Sequence, residues 1–80
     1  MTVAGENLGK LLGSLVERYG CASARRDGSD FVVSINHEGN AVARRVSVHD
    51  LMDYRYSYRQ ESWAFANEIE RIERAEVACG

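Results

Sequence analysis

The 80-residue sequence predicts an α+β domain with two layers, in which helices cover one side of an antiparallel sheet. Apolar residues first recur every three or four positions, then every second position, and again every three or four positions after Val48. These changes of period predict an N-terminal helix, a three-stranded antiparallel meander and a C-terminal helix that is either continuous or broken into two. We expect residues 1–80 to form a single small globular domain.

The composition is that of an ordinary globular protein, with 45% hydrophobic and 28% charged residues. The formal net charge is −2, whereas dedicated non-specific nucleic-acid binders are usually strongly basic. No apolar run approaches the roughly 20 residues that span a bilayer, and the N-terminus lacks the pattern of a signal peptide. We therefore expect a cytoplasmic protein without membrane attachment. Cys21 and Cys79 are expected to be small buried or half-buried thiols, with a disulfide bridge as the alternative.

The first helix is predicted to begin at Gly5 or Glu6, to end at Tyr19 and to be followed by Gly20 in the C′ position. Its apolar stripe has the helical spacing i, i+3, i+4, i+7, i+8 and i+11, and consists of Leu8, Leu11, Leu12, Leu15, Val16 and Tyr19. Gly5, Gly9 and Gly13 lie beside this stripe, and each costs up to about 1 kcal/mol of helix propensity. Close packing of these glycines against the sheet is expected to offset that cost, with close approach by a partner as the alternative.

Two turn signals divide the middle of the chain into strands over residues 21–26, 30–36 and 41–48. Asp27-Gly28 predicts the first hairpin, and Glu38-Gly39-Asn40 predicts the second turn. Phe31, Val33 and Ile35 are expected to face the core, as are Val42, Val46 and Val48 of the third strand. Arg44 falls on the same inward face, so its guanidinium must reach an edge or a carboxylate.

Two arginine doublets, Arg25-Arg26 and Arg44-Arg45, lie on the outer strands of the predicted meander. Charged side chains on edge strands commonly serve to discourage aggregation, and we favour that interpretation. The alternative is that the outward arginines share one face and form an anion-binding patch.

The last region begins with Ser47-Val48-His49-Asp50, which matches the S-x-x-[D/E] pattern of a helix start. Apolar residues then keep the helical spacing, and neither glycine nor proline interrupts residues 48–79. The sequence permits one long helix or two helices with a break near residues 57–61, and the alternation of Tyr54, Tyr56 and Tyr58 also permits a short extended segment; we favour helix. The outer face of this region is predicted to be acidic, with arginines Arg71 and Arg74 among the acids Glu61, Glu68, Glu70, Glu73 and Glu76.

Residues 53–63, which we call the Tyr–Arg segment, contain three of the four tyrosines, two arginines and the single tryptophan. These side chains dominate binding hot spots because each combines a large contact area with a polar or charged group. On a helix Tyr54 and Tyr58 share a side, so Tyr56 is expected to face solvent. The alternative is that the rings cap the core and hydrogen-bond outward. The predicted partner-binding residues are Tyr54, Arg55, Tyr56, Tyr58, Arg59, Trp63, Glu68 and Glu73.

No catalytic signature or cofactor-binding motif stands out in the sequence. His49 and Asp53 have the i, i+4 spacing of metal ligands, but a site would have to recruit His37 or Cys21 from the sheet. Acidic residues at a helix start and a surface histidine explain this cluster more simply. We therefore predict a protein that is not an enzyme and has no catalytic, cofactor or metal site.

In size and layout the chain resembles small inhibitor proteins of phages and mobile elements, of the anti-CRISPR kind. The resemblance covers the whole chain but includes no shared motif, so no functional residue is carried over. It implies a stoichiometric inhibitor that docks on a protein subunit of a host nucleic-acid-handling effector complex. The acidic helix would face a basic groove, and the Tyr–Arg segment would act as the anchor. The alternative function is a small nucleic-acid-binding protein that uses the arginines of its sheet.

Overall fold

A computed structural model describes the backbone of residues 3–79 and the side chains of residues 3–75. The elements are α1 (Val3–Tyr19), β1 (Ala22–Asp27), β2 (Asp30–His37), β3 (Asn40–Ser47), α2 (Val48–Met52) and α3 (Tyr58–Cys79). The predicted α+β class and the predicted order of elements are therefore confirmed. Among residues 3–79, no helix has both the length and the apolar character that crossing a membrane requires.

Helix α1 begins at Val3, slightly earlier than predicted, and Ala4 in its first turn is buried in the core. Leu11 and Leu15 are fully buried, as the predicted stripe requires, but the prediction is wrong for Val16, which is 45% exposed. The helix ends at Tyr19 as predicted, because Gly20 adopts a left-handed φ of 90° that favours glycine. The Gly20 N–H donates to the Val16 carbonyl oxygen at 2.8 Å and closes the last turn.

The expectation of close packing at the glycines of α1 is wrong for Gly9 and Gly13. A Cβ atom added to either residue would meet no heavy atom within 4 Å. Both residues lie on the exposed side of α1, because the leucine stripe already occupies the side that faces the core. Their cost in helix propensity is therefore not offset by any close contact within the folded chain.

The three strands form an antiparallel sheet in the order β1-β2-β3, as predicted. The turns are the two-residue loops Gly28-Ser29 and Glu38-Gly39, in which φ is positive at Gly28, Glu38 and Gly39. Val48 was expected to end the third strand, but β3 ends at Ser47 and Val48 is the first residue of α2.

Helices α1 and α3 pack side by side on one face of the sheet, α1 over β1 and β2 and α3 against β3. The Asn7 amide donates to the Leu51 carbonyl oxygen at 2.7 Å and joins α1 to the end of α2. The fully buried side chains between the layers are Leu11, Leu15, Val33, Leu51 and Phe65. By strand alternation, the opposite face of the sheet carries Ser23, Arg25, Val32, Ser34, Ala43 and Arg45, and we call it the open sheet face.

The C-terminal region forms two helices separated by residues 53–57, which we call the linker. Helix α2 begins as predicted, because the Ser47 hydroxyl accepts a hydrogen bond from the His49 N–H at 3.1 Å. Helix α2 ends because the next two backbone N–H groups donate to Asp53. The Arg55 N–H donates to the Asp53 side chain at 2.8 Å, and the Tyr56 N–H donates to the Asp53 carbonyl oxygen at 3.0 Å. The break therefore lies earlier than the expected residues 57–61.

A second helix-start signal is present in the sequence at this break. Ser57-Tyr58-Arg59-Gln60 has the S-x-x-Q spacing of a capping box. In the structure the Gln60 N–H donates to the Ser57 carbonyl oxygen at 3.2 Å, at the first turn of α3. The signal is as strong as the one at Ser47, and it identifies the true start of α3.

Candidate binding surface

Two aromatic side chains of the Tyr–Arg segment are largely exposed. Tyr54, in the linker, is 90% exposed, and Trp63, in the second turn of α3, is 67% exposed. Trp63 lies between Ser62 and Phe65, which are both buried, so its indole is on the outward side of the helix. Arg59 lies one turn before Trp63 on the same side. Tyr54, Arg59 and Trp63 are therefore accessible from solvent.

The prediction that Tyr56 faces solvent is wrong. Its ring packs against the core, and its Oη is the one buried side-chain nitrogen or oxygen without a hydrogen-bond partner among the described residues. Burial raises the pKa of Tyr56 to about 12, and the negative charges of Glu61 and Asp50 add to that effect. The prediction assumed helical spacing, whereas residues 53–57 form a turn, so the exposed tyrosine is Tyr54.

Tyr58 is half-buried against the core, which fits the alternative that some rings of the segment cap the core. The Arg59 guanidinium lies 5.9 Å from the centre of the Tyr58 ring, at the limit of a cation–π contact. Tyr58 is therefore less available to a partner than Tyr54.

Arg55 is held in the linker by Asp53 and by the neighbouring ring of Tyr54. Its Nη2 lies 3.2 Å from Asp53 Oδ2, and its guanidinium carbon lies 5.6 Å from the centre of the Tyr54 ring. The side-chain hydrogen bond from Arg55, followed by its backbone N–H, lowers the pKa of Asp53. These contacts restrict the linker conformation that displays Tyr54.

An open cleft of about 480 Å³ lies between the end of β3, α2, the linker and the start of α3. We call it the linker cleft. Arg55 and Tyr56 of this cleft were predicted to bind a partner, whereas Arg45, Asp50, Asp53 and Glu61 were predicted to have other roles. The capping-box pattern at Ser57 was the available signal, since it places the start of α3 here. The cleft is lined by Arg45, Val46, Asp50, Asp53, Arg55, Tyr56, Ser57, Gln60 and Glu61.

Some charged side chains of the linker cleft form ion pairs with neighbouring residues, whereas Asp50 forms none among the described residues. Arg45 is turned toward Asp27 and Asp30, with nitrogen–oxygen distances of 2.6 and 3.5 Å. Glu61 accepts from Arg44 at 3.1 Å, which is the carboxylate contact that the inward position of Arg44 required. Asp50 has no ion pair within residues 3–75. The cleft thus offers the free carboxylate of Asp50, which suits a cationic side chain.

Glu68 and Glu73 do not join the other predicted contact residues. They are five residues apart, about 140° around α3 at 3.6 residues per turn. Glu68 lies beside β3 and pairs with Arg71 at 3.2 Å, whereas Glu73 lies 3.6 Å from His37 at the far end of the sheet. Tyr54 is flanked in the sequence by two residues that line the linker cleft, whereas these two acids lie outside it.

The arginine doublets do not form a basic patch on the open sheet face. Arg25 and Arg45 both flank Val32 on that face, but Arg45 is paired with two aspartates. Arg26 and Arg44 lie on the other face, where Arg26 contacts the Phe31 ring and Arg44 pairs with Glu61. Two cations and two carboxylates cancel on the open face, which weakens the case for nucleic-acid binding there.

The cluster of His49, Asp50 and Asp53 does not acquire the ligands that a metal site would need. Asp53 is bonded to Arg55, and His37 lies beyond the eight residues of β3, roughly 27 Å away along an extended strand. Cys21 is free and exposed, contrary to the expectation of burial. The side chain of Cys79 lies outside the described residues, as does that of Glu76.

No known protein family matches this chain, and no curated protein or solved structure resembles it significantly. The class that fold and surface define is a small two-layer α+β domain with an exposed aromatic surface beside a polar cleft.

Proposed function

We propose that this protein is a non-enzymatic binding module that docks on a protein partner through Tyr54, Trp63 and the linker cleft. The observation that carries the proposal is the exposure of these two large aromatic side chains, 90% for Tyr54 and 67% for Trp63. Exposed tyrosine and tryptophan gain most when a partner removes them from water, and they are enriched at hot spots.

The linker cleft supplies the polar part of the same surface. An arginine or lysine of the partner would place its cationic group beside Asp50 and Glu61. This group would balance the uncompensated carboxylate of Asp50.

This chemistry favours a partner surface rich in arginine and lysine, which is typical of proteins that handle nucleic acids. We infer a stoichiometric inhibitor that covers such a surface on a host effector complex and excludes its nucleic acid. The net charge of −2 and the cancelled charges of the open sheet face support a protein target over direct binding of nucleic acid.

The test begins with affinity capture by the tagged protein from nuclease-treated bacterial lysate, with bound proteins identified by mass spectrometry. The captured protein is then purified, and binding is measured by isothermal titration calorimetry. We expect a 1:1 complex that competes with the partner's nucleic acid. The double variant Tyr54→Ala, Trp63→Ala should bind at least about a hundredfold more weakly, since a hot-spot residue contributes about 2 kcal/mol or more.

Val16→Ala is the matched control, because Val16 is also a partly exposed apolar residue but lies on α1. It should bind as the parent does, and all variants should keep the thermal stability of the parent. Recovery of nucleic acid alone, or of nothing after nuclease treatment, would contradict the proposal. So would a partner that binds the double variant as tightly as the parent.

A further inference from the structure

Three side chains of metal-ligand type meet at the end of the sheet opposite the linker cleft. They are His37, the last residue of β2, Glu38 in the following turn, and Glu73 on α3. One ligand atom from each residue lies within 4.8 Å of the other two. The closest measured pair is His37 Nε2 and Glu73 Oε1, which are 3.6 Å apart.

This spacing is close to the one that a tetrahedral zinc ion needs. Zinc binds imidazole nitrogen and carboxylate oxygen at about 2.0–2.2 Å, which places two ligand atoms of a tetrahedron roughly 3.3–3.5 Å apart. Glu73 has 54% of its side chain exposed, and Glu38 is exposed as well. Both carboxylates therefore have the rotamer freedom to close the remaining distance.

The charges at this place favour a divalent cation over a simple ion pair. Two carboxylates approach one imidazole, so the three side chains together carry a net negative charge that a divalent cation would balance. The ring of Tyr19 contacts the His37 ring edge-on, with centroids 5.6 Å apart and planes at 71°, and helps to fix the orientation of the imidazole. A ligand ring that is already oriented loses less entropy when it binds a metal.

We propose that His37, Glu38 and Glu73 form a binding site for a divalent transition-metal ion, with zinc as the best fit. Imidazole together with carboxylates suits zinc, whereas magnesium prefers oxygen ligands alone and retains its water. Three protein ligands leave a coordination position for water or for a group from a partner.

A metal ion at this site would also connect two separate elements of the fold. Ile69 is the last buried residue of α3 within the described side chains, and Glu73, Arg74 and Ala75 are exposed. A metal bound to Glu73 would attach this outer part of α3 to the turn between β2 and β3. The ion would thereby stabilise the folded state in proportion to its occupancy.

The test uses the full chain with Cys21→Ser and Cys79→Ser, so that thiols contribute no ligand. Isothermal titration calorimetry with zinc chloride should give one ion per chain, and zinc should raise the midpoint of thermal unfolding. His37→Ala and Glu73→Gln should each weaken binding by at least about tenfold. Cobalt(II) in place of zinc should give the visible absorption bands of a four- or five-coordinate ion.

His49→Ala is the matched control, because His37 and His49 are the two histidines of the chain. It should leave zinc affinity within about twofold of the parent, and an excess of magnesium should not displace the zinc. Circular dichroism checks that each variant folds, and Glu73→Gln changes a half-exposed side chain that the fold does not require. Equal zinc affinity in the parent and the Glu73→Gln variant, or equal losses for both histidine variants, would overturn the proposal.

Discussion

Tyr56 combines a packed ring with a hydroxyl group that has no hydrogen-bond partner among the described residues. A buried polar group without a partner loses its hydration without compensation, typically at a cost of about 1–3 kcal/mol. The hydroxyl group of Tyr56 therefore lowers the stability of the folded state, whereas its ring contributes to the core.

Tyr56→Phe should keep or slightly raise the stability of the protein at neutral pH, because it removes the unpaired hydroxyl group and retains the ring. The two proteins should diverge in alkali. The unfolded chain releases the Tyr56 proton near pH 10, whereas the folded chain releases it near pH 12. The folded state is therefore favoured by keeping the Tyr56 phenol protonated. This part of the free energy of unfolding is complete below pH 10 and is lost as the pH rises from about 10 to about 12.

Urea unfolding followed by circular dichroism at several pH values measures this difference. The parent should lose stability more steeply above pH 10 than Tyr56→Phe does. Tyr54→Phe is the control, since Tyr54 is 90% exposed and its hydroxyl group is not buried. Parallel curves for the parent and Tyr56→Phe would refute the assignment of a buried phenol.

At the scale of the element, α1 is weaker than its amphipathic pattern suggests. Gly9 and Gly13 lie inside the helix, and a Cβ atom at either would contact nothing. Glycine in a helix interior is less stable than alanine because it loses more backbone entropy on folding. The position of Gly20 differs, since its φ of 90° is one that other residues adopt only with strain.

Gly9→Ala should stabilise the protein by roughly 0.5–1 kcal/mol, whereas Gly20→Ala should destabilise it by roughly 1 kcal/mol or more. Both changes add the same methyl group at a site where it meets no other atom. Their opposite signs therefore isolate the effect of backbone conformation. Chemical unfolding at equilibrium measures both values, and a destabilising Gly9→Ala would show that Gly9 makes a contact which this structure lacks.

In the C-terminal region one residue, Asp53, ends a helix where the spacing of apolar residues would allow the helix to continue. Asp53 accepts hydrogen bonds from the backbone of Arg55 and Tyr56, so those N–H groups do not continue α2. Short polar side chains compete with the helix in this way and need no glycine or proline. The resulting linker exposes Tyr54, turns Tyr56 inward and forms one wall of the linker cleft.

At the scale of the whole molecule, two helices cover a single face of a three-stranded sheet, so there is one core. The molecule measures 46 × 24 × 21 Å, and α3, which at 22 residues is about 33 Å long, extends well beyond its short dimensions. Small domains bury a limited fraction of their surface and are correspondingly marginal. The few large buried side chains therefore carry most of the stability.

Phe65→Ala should destabilise the protein by about 3–5 kcal/mol, because Phe65 is fully buried between the helices and the sheet. A domain of this size has roughly 4–12 kcal/mol in total, so the variant should be partly or wholly unfolded. Trp63→Ala is the control on the same helix and should cost less than about 1 kcal/mol, since Trp63 is 67% exposed. Thermal unfolding measures the loss of stability in both variants. Equal losses would contradict the burial of Phe65 and the exposure of Trp63.

Much of this fold follows from the sequence alone. The leucine stripe of α1, the alternation around Val33 and Ile35, and the turn residues at Gly28 and Gly39 are local signals, and the structure agrees with all of them. They were sufficient because the periods of helix and strand determine which side chains share a face, whatever the remaining chain does. The hot-spot composition of residues 53–63 is likewise visible in the sequence.

Only the tertiary structure decided which of these residues act together. It exposed Tyr54 and buried the hydroxyl group of Tyr56, reversing the sequence prediction, because Asp53 forms a turn where a helix was assumed. It also brought Glu73 to within 3.6 Å of His37, although 35 residues separate them in the chain. Local patterns specify faces and turns, whereas contacts between distant residues depend on how the elements pack, and the candidate sites consist of such contacts.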